Sequence, residues 1–99
     1  MAQVAWTAEA QLWLRDIHDY IAAENPATAE RVVLAIYESV QVLYQHPRLG
    51  QRYLRVTDRE VRILHYSHYR IAYLIREGTG EIDILGIFHG ALPIERYLI

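Results

Sequence analysis

The chain has 99 residues, 53% of them hydrophobic, and a formal charge of −2, which suits one folded domain over residues 1–99 and excludes a disordered chain. It has no cysteine, so a disulfide framework and thiol chemistry are excluded. No basic region followed by an apolar run opens it and no apolar run reaches the length of a membrane span, so the expectation is a cytoplasmic protein with no membrane partner.

Gln3-Val4-Ala5-Trp6 reads as a short strand, and Thr7 then has the chemistry of a helix N-cap, with Glu9 placed to complement the helix dipole. The first helix runs to about Ala23. Ala10, Leu14, Ile17 and Ile21 recur at helical spacing, flanked by Trp13 and Tyr20, while Arg15, Asp16 and Asp19 take the other side. Asn25-Pro26 is a second start signal, an N-cap followed by proline at the first helical position. So short a connection predicts an antiparallel helical hairpin. Ala29, Val32, Val33, Ile36, Tyr37, Val40, Leu43 and Tyr44 form a broad apolar stripe that ends before Pro47 and Gly50. Its spacing also fits a coiled-coil partner helix, but it lasts under three heptads, and the chain has a sheet of its own to cover.

Arg52–Val56 reads as an extra strand or a loop. Strand-forming residues then fill Glu60–Tyr66, Tyr69–Arg76 and Glu81–His89, broken at Ser67-His68 and Glu77–Gly80, which predicts a β-meander. A two- or four-residue first turn sets His65 opposite Arg70, and a four-residue second turn sets Arg76 opposite Glu81. One face then carries Leu64, Tyr66, Tyr69, Ile71, Tyr73, Ile75, Ile82, Ile84 and Phe88, with Arg62 and Gly86 as exceptions, and is the expected core face. The other carries an apolar spine of Val61, Ile63, Leu74, Leu85 and Ile87 among Arg59, His65, Arg70, Arg76 and His89. Left exposed, that spine would be a sticky binding face. Ile94–Ile99 is either a short terminal helix starting at Pro93 or an extended tail.

All ten basic residues are arginine, and between Arg48 and Arg76 seven arginines face two acids, Asp58 and Glu60. A planar guanidinium suits bidentate contact with phosphate or carboxylate, although an arginine-only set can equally reflect genomic base composition. The five histidines have neither cysteine nor suitably spaced carboxylates beside them, so no metal site and no cofactor is expected. Phosphate-cradling glycine loops and a nucleophile elbow are absent as well. What remains is arginine with histidine: Arg70 as a cation and His89 or His65 as base or acid could serve RNA cleavage through the 2′-hydroxyl. The competing reading is that these groups pair with acids such as Glu81 or Asp83 and keep the face soluble.

With strand, helical hairpin and meander in order, the chain resembles the RelE/ParE superfamily of toxins from bacterial type II toxin–antitoxin modules. The resemblance is carried by Val4-Ala5-Trp6-Thr7 with Ala10 and Leu14, Asp19-Tyr20-Ile21-Ala22 leading to Asn25-Pro26-Ala27, Pro47-Arg48-Leu49-Gly50, Tyr69-Arg70-Ile71-Ala72-Tyr73 and His89-Gly90. It is nearer the ParE-like branch. It implies an α+β fold with a helical hairpin packed on a small, mainly antiparallel sheet, and a growth inhibitor held by a cognate antitoxin in a hetero-oligomer. ParE-type members poison DNA gyrase, which makes gyrase the implied target. RelE-type and YoeB-type members cut mRNA in the ribosome, and in that alternative Arg70, His89 and Tyr97 stand at the positions of catalytic residues. A third alternative is a non-toxic remnant that only binds antitoxin. The nuclease set is incomplete, because lysine is missing and Gly90 follows the histidine where YoeB-like members have tyrosine. Ala91-Leu92 stands where many ParE-type relatives carry arginine. The face of Arg59, Val61, Ile63, His65, Leu74, Arg76, Leu85 and Ile87 is the expected surface for target or antitoxin.

Overall fold

Two side-chain caps set where the helices begin. The Thr7 hydroxyl accepts from the Ala10 N–H at 3.1 Å and donates to the Ile84 carbonyl at 2.7 Å, so one residue both starts a helix and ties it to the sheet. Asn25 accepts from the Thr28 N–H at 3.1 Å, with Pro26 in the first turn behind it. In the computed structural model, which describes residues 2–98, the chain accordingly runs β1 (Val4–Trp6), α1 (Ala8–Ala22), α2 (Pro26–Gln41), a 3₁₀ turn (Val42–Tyr44), β2 (Gln51–Arg52), β3 (Glu60–Tyr66), β4 (Tyr69–Ile75), β5 (Ile82–His89) and α3 (Glu95–Leu98). Ile99, the last residue of the expected terminal segment, lies outside the described residues.

The class is α+β, as expected. The sheet has the order β1-β5-β4-β3-β2, with β1 parallel to β5 and every other pair antiparallel. Ala10 and Leu14 of α1, Ile36 and Val40 of α2, and Leu43 close over Ile71, Tyr73, Ile75, Ile82, Ile84 and Ile87. This is the helix-side core.

The β3–β4 pairing keeps the expected register, including His65 opposite Arg70. In β4–β5 the register holds from Ile75↔Ile82 to Tyr73↔Ile84 and then slips, because Ala72 pairs with Gly86. Leu85 is the extra residue of a β-bulge. Past it every side chain of β5 changes face, since strand side chains alternate with a period of two. Ile87, expected on the outer face, therefore lies in the helix-side core, while Phe88, expected in that core, lies on the far side with Ala72 and Val61. Gly86 accommodates the fold-back of Phe88: a Cβ there would sit 2.6 Å from the Phe88 ring.

The far side of the sheet is not the exposed spine expected from alternation. Val61 and Ile63 are buried together with Phe88, Val56, Ile94 and Leu98, with Leu74 and Leu85 half-buried against them. The cover comes from the chain after β2 and from α3, too short to register as an amphipathic pattern.

The Pro47-Arg48-Leu49-Gly50 motif also has a structural explanation. The buried Tyr73 hydroxyl donates to the Pro47 carbonyl at 2.7 Å and accepts from the Gly50 N–H at 2.9 Å. A Cβ on Gly50 would lie 2.8 Å from both the Ile63 carbonyl and the Tyr73 ring, so only glycine fits. Arg62, out of pattern on the core face, donates to the Gly50 carbonyl at 2.7 Å and shares Glu60 with Arg48.

Candidate functional site

The end of the sheet formed by the Ser67-His68 turn, the end of β5 and the Gly90–Leu92 turn gathers His65, His68, Tyr69, Arg70 and His89 around a shallow hollow of about 390 Å³. That much follows the register expected from the sequence. The faces do not. Tyr69 and Arg70 point to opposite sides of β4, and the bulge at Leu85 sends His89 to the Tyr69 side, where the two rings meet edge to face at 6.0 Å. His65 stays on the Arg70 side. The expectation that His65, Arg70 and His89 share one face is corrected accordingly.

Each candidate side chain has its own surroundings. Arg70 donates from Nη2 to the Leu92 carbonyl at 2.6 Å and weakly to that of Gly90 at 3.4 Å, so its guanidinium staples the C-terminal turn to β4. Exposed His89 accepts the Ala91 N–H on Nδ1 at 3.3 Å, which leaves Nε2 to carry the proton of the neutral ring. Tyr97 stacks on Phe88 with centroids 5.4 Å apart and meets the edge of Trp13 at 5.0 Å. It is not among the residues around the hollow that holds Arg70 and His89. Burial raises the Tyr69 phenol above its ordinary pKa, so at neutral pH it is a hydrogen-bonding group and not a base.

Of the remaining candidates, Arg59 and His65 are exposed, Leu74 and Leu85 are half-buried, and Val61, Ile63 and Ile87 are closed off. Arg76 grips Asp83 with two hydrogen bonds of 2.8 and 3.2 Å. The hydrogen bonds that Arg76 donates to the Asp83 carboxylate, with its negative charge, raise the Arg76 pKa further, so this arginine is a permanent cation committed to a partner. Among the described residues, no three histidine, cysteine, aspartate or glutamate side chains are grouped to hold a metal ion.

The structure adds a surface that the sequence reading did not single out. Between α1 and the end of β5 runs an apolar groove of about 500 Å³ walled by Trp13, Ile17, Tyr20, Tyr69, Ile87 and Leu92, with His89 and Asp16 at its margin. Its signal was present: Trp13 and Tyr20 are two turns apart on α1, and Tyr20 is 85% exposed. A large aromatic so open on a helix leaves apolar area that only another molecule could cover.

Residues 4–92 match the family model for the ParE toxin of the type II toxin–antitoxin system parDE. Toxin RelE2 of Caulobacter vibrioides is 34% identical over 91 residues, covering 92% of this chain and 98% of that protein. The chromosomal ParDE toxin–antitoxin system from P. aeruginosa superposes with a TM-score of 0.71 at 27% identity, over 90% of this chain and 96% of the other. The RelBE2 toxin–antitoxin complex from Mycobacterium tuberculosis shares the fold, with a TM-score of 0.62 at 20% identity, over 89% of this chain and 96% of that one.

Proposed function

The chain belongs to the ParE toxin family of type II toxin–antitoxin systems, and from that membership we propose that it arrests growth by binding its target, DNA gyrase, and is neutralised by a cognate antitoxin in a hetero-oligomer. One observation carries the choice of binding over RNA cleavage. Transesterification of RNA needs a base, an acid and a cation converging on one phosphate, whereas here the bulge at Leu85 sets His89 and Arg70 on opposite faces of the sheet, so that they border their shared hollow from different sides. Arg70 is moreover occupied with the Leu92 and Gly90 carbonyls. The apolar groove beside Trp13 and Tyr20 is the target-recognition surface in this reading, since it offers aromatic side chains with exposed surface that a partner could desolvate, of the kind that dominate protein interfaces. The antitoxin partner is supported by the likeness to the ParDE system.

A gyrase supercoiling assay with the purified chain tests the reading. Supercoiling falls as the chain is titrated in, recovers with the antitoxin, and is spared by Tyr20→Ala. Full supercoiling at saturating toxin would remove gyrase as the target, and recovery of arrested cells only by restoring mRNA would move the protein to the nucleases.

A further inference from the structure

On the far side of the sheet, between the chain that follows β2 and the start of α3, lies a cleft of about 320 Å³ whose charged walls are all basic. Arg52, Arg55 and Arg70 line it with His65, and no aspartate or glutamate does. Among the described residues, neither Arg52 nor Arg55 has a carboxylate within ion-pair distance. The two buried side-chain polar atoms that find no hydrogen-bond partner there, Tyr53 Oη and Arg70 Nε, belong to residues of this same cleft. Both can donate, and a buried donor left without an acceptor is unfavourable.

We propose that this cleft is an anion subsite that takes a carboxylate of an acidic, partly apolar peptide segment from a partner protein, with Arg52 and Arg55 as the charged clamp and Tyr53 and Arg70 as the donors at its floor. A carboxylate accepts from several N–H and O–H donors at once, and charge-assisted bonds of this kind are about twice as strong as neutral ones. The other walls separate a peptide from a nucleic acid. Leu54, 76% exposed at the rim, and buried Ile94 present apolar surface that suits side chains alternating with acids. The inference rests on the reading that a cognate antitoxin neutralises the chain, and supplies the chemistry by which that partner would be held.

The probe is a short fluorescein-labelled peptide of alternating glutamate and leucine, followed by fluorescence anisotropy against the full chain. A glutamine–leucine peptide of the same length and a uridine oligonucleotide serve as comparisons. The glutamate peptide binds, the glutamine peptide is weaker by about tenfold or more, and Arg52→Gln/Arg55→Gln lowers affinity for the glutamate peptide by at least about tenfold. Both arginines are exposed, so the variant keeps the wild-type melting temperature, and Tyr53→Phe gives a smaller loss without touching surface charge. Equal binding of the two peptides, indifference to the double substitution, or tighter binding of the oligonucleotide overturns the proposal. Rescue of growth by the co-expressed antitoxin is scored separately. A chain that binds the peptide but is never rescued fails the neutralisation reading, whereas one that is rescued but ignores the peptide fails the subsite.

Discussion

The two faces of the meander share their strands but are closed in different ways. On the helix side, two long capped helices lay Ala10, Leu14, Ile36 and Val40 over a row of isoleucines. On the far side, Val61, Ile63, Ala72 and Phe88 are closed by Val56, by Ile94 and by Leu98 of the four-residue α3. A helix of one turn has no stability of its own and exists only because its apolar residues dock. Such a cover can open without unfolding the sheet. The helix side is thus the firmly held layer of the domain, and the cover of the far side is the layer that opens first.

The bulge divides these faces, and deletions break the comparison most severely. Removing Leu85 leaves Ile84 and Gly86 in regular alternation, so Ile87 and Phe88 keep their present sides and the protein still melts cooperatively. Removing Ile87 sends Phe88 into the helix-side core and leaves no cooperative melt by circular dichroism. Truncations come next. Ile71→Ala empties a fully buried site under the helices and costs about 2–5 kcal/mol in global unfolding by denaturant. Leu98→Ala costs less, and hydrogen exchange reports it as faster opening of α3 and the Gly90–Leu92 turn, with α1 and α2 protected as before.

Tyr73→Phe isolates a single tie from the helix-side core to the Pro47–Gly50 turn. It leaves the Pro47 carbonyl and Gly50 N–H without their buried partner and costs about 1–3 kcal/mol in the same denaturant titration. The smallest effect is on pH. Burial by itself raises the Glu60 carboxyl pKa, but the hydrogen bonds and charges of Arg62 and Arg48 outweigh it and hold the group below its ordinary 4.5. A carboxylate whose folded pKa is depressed stabilises fully above the unfolded pKa, and that share is lost as pH falls through the folded value. Thermal melts therefore show an acid limb starting near the ordinary 4.5, and Glu60→Gln flattens it.

The elements were legible because their signals are local: Thr7 and Asn25-Pro26 cap their helices, and the two-residue turn at Ser67-His68 fixes His65 opposite Arg70. The facing of β5 was not. Ile87 and Phe88 are both large and apolar, so either register would bury one of them on each side, and alternation alone could not choose. A glycine inside a strand is a bulge signal, and Gly86 was that signal. Because a bulge shifts all that follows it, the error carried through to His89 and to the composition of the candidate site. The remaining losses were non-local. Nothing near Tyr73 in the sequence announces its bonds to Pro47 and Gly50, and nothing in Ile94–Leu98 announces that it covers Val61 and Ile63.

The proposal that the chain arrests growth by binding its target and not by cutting RNA is tested most directly by a map of mRNA 5′ ends shortly after induction without antitoxin, in wild-type and Arg70→Ala forms. Growth arrest in the wild type with no new codon-phased ends is the predicted result. Codon-phased cuts in the wild type that vanish in Arg70→Ala would contradict the account, because they would require Arg70 to leave the Leu92 carbonyl and act on a phosphate.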